Sequence, residues 1–223
     1  GRLASGTLTV GTTVVTNAIL EGNLARVLLF VSAGFADLVH LGDMTRPALF
    51  DPDLRRPGWP GLRVVEVRGR IDGGGAEVEP LVMPTFDVCD VDAVAVVLLN
   101  SAQNPAHELA LAAGLPVGVP VSLGHRLAPR VGYQARLETT LLDAAATPVL
   151  RAAQRRAELR GDALDIRSDA STCVAAALRA PDAVLSGPAG GVLAVEHVAR
   201  VLGADLAVGF DMVFAEPSTP EDD

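Results

Sequence analysis

The sequence predicts an α/β fold in which a mixed β-sheet is flanked by helices. Short runs rich in β-branched residues alternate with longer helical stretches, which is the pattern of a substantially parallel sheet. Apolar runs such as Ala93 to Leu99 have the length of a buried strand and fall far short of a membrane span. With 223 residues, of which 49% are hydrophobic, the chain can bury one sizeable core or two small ones.

The predicted elements follow from these runs and from the residues that bound them. Asn104 before Pro105 predicts a helix start, because the amide can cap the helix and the first turn needs no N–H from proline. The candidate strands are Arg26 to Val31, Leu62 to Arg68, Ala93 to Leu99, Val117 to Ser122, Leu164 to Arg167 and Leu206 to Phe210. The candidate helices are Thr13 to Glu21, Phe35 to Leu41, Pro105 to Ala113, Leu137 to Leu159 and Pro188 to Leu202.

Composition shifts along the chain predict two modules and a tail. Residues 1–160 form the first α/β module, with Pro47 to Gly61 and Gly73 to Gly75 as loops. Residues 161–215 begin a second, smaller βα module. We expect residues 216–223 to be disordered, since they are polar and acidic.

Charge and cysteine content exclude several classes of function. A net charge of −9 argues against nucleic acid and anionic membrane as partners, because both need a clustered basic surface. The chain contains no lysine, which excludes Schiff-base chemistry and a P-loop. Cys89 and Cys173 belong to no paired motif, so we expect two buried reduced thiols and a cytoplasmic protein.

Two segments are candidates for ligand binding. At Ser186 to Gly191 a strand-like run ending at Leu185 meets a small-residue turn and then a helix, which would present free N–H groups to an anion. The alternative is a tight turn whose glycines let the helix pack closely on the sheet. Three hydroxyls and an amide within Gly11 to Asn17 could bind a small polar substrate or could cap a helix.

Other catalytic signatures are absent from the sequence. There is no nucleophile elbow, no dinucleotide fingerprint and no zinc helix. The four histidines stand singly without ligand spacing, so surface or hydrogen-bonded roles are favoured over metal binding. They are His40, His107, His125 and His197.

Taken in order, eight segments resemble the hydantoinase A and oxoprolinase family, including its N-methylhydantoinase and acetone or acetophenone carboxylase relatives. The resemblance covers nearly the whole chain. The segments are Gly11 to Glu21, Ala33 to Gly42, Arg46 to Asp51, Asn100 to Glu108, Val121 to His125, Ile166 to Asp169, Ser186 to Gly191 and Gly209 to Met212.

The resemblance implies an actin-like ATPase-type (ribonuclease H-like) fold and an A subunit that uses ATP with Mg²⁺. Such enzymes phosphorylate a cyclic amide or ketone, often with a B-type partner subunit. By the same resemblance, Thr12, Thr13, Asn17 and Arg46 would contact the substrate, with Arg46 as an anion partner. Ser186, Gly187, Gly190 and Gly191 would bind the cofactor phosphates, and Asp211 would be the metal or phosphate site.

Departures from the family pattern predict that this chain alone has an incomplete ATP site. A glycine-rich phosphate loop normally follows Gly-Phe-Asp-Met, whereas Val213, Phe214, Glu216 and Pro217 follow here. Ala170 and Ser171 stand where the family commonly has two glycines, and Val10 stands where it commonly has histidine. We expect the upstream Asp-x-Gly-Gly-Thr loop to be missing, so that the chain is a fragment, a truncated product or a degenerate, non-catalytic relative.

Overall fold

The structure is a computed structural model that describes residues 9–42, 58–128, 132–156 and 164–210. Its residues form two compact units. The large unit comprises Val14–Arg160 and Arg179–Pro181, and the small unit comprises Gly1–Thr13, Gly161–Leu178 and Asp182–Asp223. The bounds of the elements in the large unit are α1 Val14–Leu20, β2 Val27–Ser32, α2 Leu38–Leu41, β3 Arg63–Ile71, β4 Glu77–Val82, β5 Ala93–Val97, α3 Ala106–Ala113, β6 Val121–Leu123, α4 Gly124–Leu127 and α5 Tyr133–Arg156.

The large unit is built on a five-stranded sheet in the order β4-β3-β2-β5-β6. Strands β3, β2, β5 and β6 are parallel, whereas β4 pairs with β3 in the antiparallel direction. The mixed sheet predicted from the sequence is therefore present. Strand β4 was missed because Pro80 and two glutamates argue against a strand, but an edge strand tolerates both.

Side chains of the central strands alternate between two apolar clusters. Val27, Leu29 and Val31 of β2 pack with Leu137 and Leu141 of α5 on one face. On the other face Leu28 and Phe30 pack with Leu111 of α3. Both faces of β2 are buried, which explains why its sequence is a continuous apolar run rather than an alternating one.

The small unit contains a three-stranded sheet in the order β1-β7-β8, from strands Thr9–Val10, Leu164–Ile166 and Thr172–Val174. Helix α6 (Ala180–Ala183) begins in the large unit, and helix α7 (Ser186–Leu202) lies in the small unit. Because β1 pairs in parallel with β7, residues 9–13 belong with the C-terminal part of the chain and not with the first predicted module. The predicted domain limits at residues 160 and 215 stay predictions.

Three sequence expectations, two in this unit and one in the large unit, are wrong. Leu206 to Phe210 is not a strand: it follows α7 without a hydrogen-bonded neighbour strand among the described residues, and Leu206, Val208 and Phe210 are exposed. The run before Ser186 is not strand-like, because α6 and a turn occupy residues 180–185. Cys89 is exposed, although Cys173 is buried and both are free thiols.

Candidate functional site

Helix α7 begins at Ser186, so the glycine-rich segment forms the first turns of the helix rather than a loop before it. Its first residues are joined to the N-terminal strand of the same unit by the Ser186 side chain. The Ser186 Oγ accepts a hydrogen bond from the Thr12 N–H at 3.2 Å and donates one to the Thr12 carbonyl at 2.8 Å. Ser186 is fully buried, so this hydroxyl fixes the Gly11 to Thr13 backbone against the start of α7.

Glycines at the same contact allow the two backbones to approach closely. A Cβ on Gly11 would lie 3.1 Å from the Ser186 carbonyl oxygen, and a Cβ on Gly187 would lie 3.1 Å from Thr13 Cγ2. Both distances are shorter than ordinary van der Waals contact. The lack of a Cβ at Gly11 and at Gly187 therefore permits this close approach.

The N-terminus of α7 also retains free hydrogen-bond donors. The Leu185 N–H donates to Ser168 Oγ at 3.0 Å, Pro188 has no N–H, and the Ala189 N–H donates to the Leu185 carbonyl. No acceptor for the N–H of Ser186 or Gly187 is found among the described residues. Ser186 is fully buried, so the partly exposed Gly187 N–H is the donor of the two that an anion can reach at the positive end of this 17-residue helix. Close packing and anion binding are thus compatible here.

The turn after β7 supplies two residues that the sequence interpretation did not assign to the site. Ser168 Oγ donates to the Asp182 carbonyl at 2.7 Å while accepting the Leu185 N–H, so it holds this turn beside the start of α7. Arg167 precedes it, and its Nη1 donates to Ser171 Oγ at 3.4 Å. The segment Ile166 to Asp169 carried the family resemblance, but nothing in its residue types indicated that Ser168 would tie the helix start.

The same turn has a constrained backbone. Ala170 has a φ of 65°, in the left-handed region that L-residues with a Cβ rarely adopt. The Ser171 hydroxyl and N–H both bond to Asp169 and hold the pKa of its carboxyl below the usual range. The hydrogen-bonded aspartate therefore stabilises a turn for which glycine would be the better residue at position 170.

The remaining predicted site residues are distributed as follows. Thr13 is exposed next to Gly187, and Gly190 and Gly191 lie one turn further along α7. Asn17 is exposed on α1 in the large unit. Arg46 and Asp211 lie outside the described residues.

The small unit offers a helix N-terminus to an anion and shows no metal site in the described residues. The start of α7 matches what a phosphate group needs, namely free N–H groups and a positive helix end. Among residues 9–42, 58–128, 132–156 and 164–210, no group of three or more His, Cys, Asp or Glu side chains could hold a metal ion. The role of Asp211 as a Mg²⁺ ligand stays a prediction.

Comparison with known proteins decides the family. The family profile described as "Hydantoinase/oxoprolinase N-terminal region" matches residues 4–115. The chain belongs to the hydantoinase/oxoprolinase family. It is 31% identical to 5-oxoprolinase 1 of Arabidopsis thaliana, over 91% of this chain and 19% of the relative. It is 28% identical to caprolactamase subunit alpha of Pseudomonas jessenii, over 91% of this chain and 32% of the relative.

Solved structures of the family share the fold. The crystal structure of the ATP-dependent caprolactamase from Pseudomonas jessenii matches 89% of this chain and 32% of its own, with a TM-score of 0.69 and 27% identity. The nucleotide-free structure of an acetone carboxylase matches 87% and 32%, with a TM-score of 0.68 and 21% identity. The predicted α/β fold of the actin-like ATPase type is confirmed. The chain spans about a fifth to a third of the length of these relatives.

No membrane-crossing helix occurs in the part of the chain that the structure describes: none there is both long enough and apolar enough.

Proposed function

We propose that this chain is part of an ATP-dependent enzyme of the A-subunit type that opens cyclic amides such as lactams or hydantoins. The proposal is supported by family membership and by relatives named 5-oxoprolinase and caprolactamase. The name caprolactamase subunit alpha further supports a B-type partner subunit. ATP with Mg²⁺ would be the cofactors, and a cyclic amide or ketone the substrate.

Amide chemistry explains why ATP would be used. An amide carbonyl is a poor electrophile, and transfer of the γ-phosphoryl group to its oxygen makes the carbonyl carbon reactive towards water. Phosphoryl transfer depends on donors that neutralise the phosphate charge. The protein therefore needs a site where backbone N–H groups meet a phosphate.

The observation that carries the proposal is the start of α7. Gly187 offers a partly exposed N–H group at the positive end of the helix, and the bridge from buried Ser186 to Thr12 fixes the backbone just before it. In this proposal Ser186, Gly187, Gly190 and Gly191 hold phosphate oxygens. Thr12, Thr13, Asn17 and Arg46 contact the substrate, and Asp211 organises the metal.

A second function is favoured by specific residues. Ala170 occupies a left-handed position that suits glycine, and Val213, Phe214, Glu216 and Pro217 replace the family's glycine-rich turn. These changes support a non-catalytic scaffold or binding module derived from the family.

A binding experiment separates the two functions. Thermal unfolding of the complete protein is measured with and without Mg-ATP, since a ligand that binds the native state raises the melting temperature. An enzyme subunit is expected to shift at millimolar ATP, whereas a scaffold is expected not to shift. Turnover is then measured as ADP release by the complete protein with its partner subunit, with and without a panel of lactams and hydantoins.

Two glycine variants test whether ATP binds at the start of α7. Gly187→Ala places a Cβ 3.1 Å from Thr13 Cγ2 and should weaken ATP binding several-fold. Gly73→Ala is the matched control, because Gly73 lies outside the proposed site and a Cβ there meets no atom within 4 Å. Equal loss in both variants would mean that ATP does not bind at the helix start.

We also place the protein in the cytoplasm. Both cysteines are free, and the exposed thiol of Cys89 fits a reducing compartment. Labelling of Cys89 in intact and in permeabilised cells tests this placement.

A further inference from the structure

Helix α7 carries a row of apolar residues that is open to solvent. Val198 is 53% exposed, Val201 70% and Leu202 74%. Gly191 and Ala194, one to two turns earlier, are exposed as well. We call these five residues the α7 seam. Single apolar residues are common on protein surfaces, whereas a contiguous row of them marks a surface that another element covers.

The spacing of the α7 seam is that of a contact between two helices. Its first four members follow one another at intervals of three, four and three residues, which is the spacing of the a and d positions in a heptad repeat. With 3.6 residues per turn, these positions share one side of the helix. Glu196 and Arg200 form an ion pair on the opposite side. The sequence of α7 therefore separates an apolar side from a charged one.

The first residues of the α7 seam leave room for another backbone. A Cβ on Gly191 would meet no atom of the described residues within 4 Å, and Ala194 has only a methyl group. The neighbouring Gly190 is different, because a Cβ there would lie 3.1 Å from Ile166 Cδ1 in β7. The helix thus packs on the sheet of the small unit through one side and leaves the seam open. Small residues at the start of the seam would let a second helix approach closely, and the larger side chains further along would fill the space between the two helices.

The size of the α7 seam argues against a second copy of the chain as its occupant. The seam extends over about 16 Å of helix, at 1.5 Å per residue. A stable interface between two folded proteins buries about 800 Å² and about 20–30 residues on each side, which five residues do not approach. A helix of the same polypeptide needs less contact area, because the covalent link removes most of the translational and rotational cost of association.

The length of the family members supplies such a helix. The chain corresponds to about a fifth to a third of the relatives with which it was compared. We propose that, in the complete protein, the α7 seam is covered by an apolar helix from the part of the polypeptide outside residues 1–223, with the closest approach at Gly191 and Ala194. This inference does not depend on the proposed activity, because it concerns packing and not turnover.

The first test measures how fast introduced thiols are alkylated by iodoacetamide in two forms of the protein. Val198→Cys lies on the α7 seam and Glu196→Cys on the opposite side of the helix, and mass spectrometry of each peptide follows the modification. In residues 1–223 alone, both thiols should react at similar rates, because both positions are exposed. In the complete protein without its partner subunit, Val198→Cys should react several-fold more slowly, while Glu196→Cys keeps its rate.

Four outcomes of the first test would overturn the proposal. Equal rates of the two thiols in the complete protein would mean that the seam stays open. Slow reaction of Val198→Cys in residues 1–223 alone would mean that this chain or a second copy of it covers the seam, and sedimentation at several concentrations would separate those two cases. Protection that appears only when the partner subunit is added would assign the seam to that subunit. A reading frame that encodes no helix outside residues 1–223 would remove the occupant.

The second test compares thermal unfolding of two glutamine variants in the same two forms. In the complete protein, Val198→Gln should lower the melting temperature by several degrees, because its amide would be buried against apolar side chains without a hydrogen-bond partner. Glu196→Gln is the matched control and should leave the melting temperature unchanged. In residues 1–223 alone, Val198→Gln should also have little effect, since the side chain is exposed there. Equal shifts of the two variants in the complete protein would contradict the proposal.

Discussion

The Ser186 hydroxyl is the best place to measure how the N-terminal strand is held to α7. Ser186→Ala removes a hydrogen bond donated to the Thr12 carbonyl and one accepted from the Thr12 N–H. Each is worth about 1 kcal/mol net, and a buried donor or acceptor that loses its partner costs more. We therefore expect the free energy of unfolding to fall by about 2–3 kcal/mol.

The assay is urea denaturation followed by far-UV circular dichroism, together with amide hydrogen exchange at Thr12 by NMR. Exchange at Thr12 should accelerate in Ser186→Ala because its N–H loses its acceptor. Ser101→Ala is the control: its Oγ is also buried but has no hydrogen-bond partner in the described residues, so its removal should be neutral or slightly stabilising. Equal losses in the two variants, or unchanged exchange at Thr12, would refute the reasoning.

Three further changes test other parts of the structure. Ala170→Gly should raise the free energy of unfolding by about 0.5–1 kcal/mol in urea denaturation, because it relieves the left-handed backbone at φ 65°; a loss of stability would contradict this. Arg26 donates to Asp92 from its side chain and its backbone and lowers the pKa of that carboxyl, so the stability it adds is present at neutral pH and lost as the pH falls through the lowered pKa. Asp92→Asn should thus destabilise the chain at pH 7 and make little difference near pH 2, as measured by urea midpoints at each pH. The hydrogen bond and charge of Asp87 raise the pKa of the Cys89 thiol, so Asp87→Asn should speed alkylation of Cys89 by iodoacetamide, while buried Cys173 stays slow in both forms.

Strand β2 and helix α5 show what a local pattern can predict. The apolar run at Val27–Ser32 is buried on both faces, so hydrophobicity alone identified it within one residue. Helix α5 was predicted over Leu137 to Leu159 and forms at Tyr133–Arg156, with Pro148 inside it. Its N-terminal turn was missed because Tyr133 and Arg136 are fixed by contacts from distant residues, such as the hydrogen bond from Tyr133 to the Val97 carbonyl.

The segment Leu206 to Phe210 shows where a local sequence pattern does not predict the structure. The run has the composition of a strand, but a strand also needs a neighbour, and none pairs with it among the described residues. Prediction of the candidate site was incomplete for the same reason. Gly187 and Thr13 could be named from the sequence, whereas Ser168 acts through the Leu185 N–H and the Asp182 carbonyl, which only folding brings beside it.

The pairing of β1 with β7 has a consequence for the order in which the chain folds. Thr9 pairs with Leu164, and more than half of the sequence lies between them. A ribosome releases Thr9 and Val10 long before their partner strand exists, so the sheet that holds α7 closes only after the intervening unit has been synthesised. Pairing between strands so far apart in sequence is slow. Until β7 is available, β1 can pair with the edge of another sheet. The large unit can be regarded as an insertion within the small one, and it is expected to reach its native state first during translation.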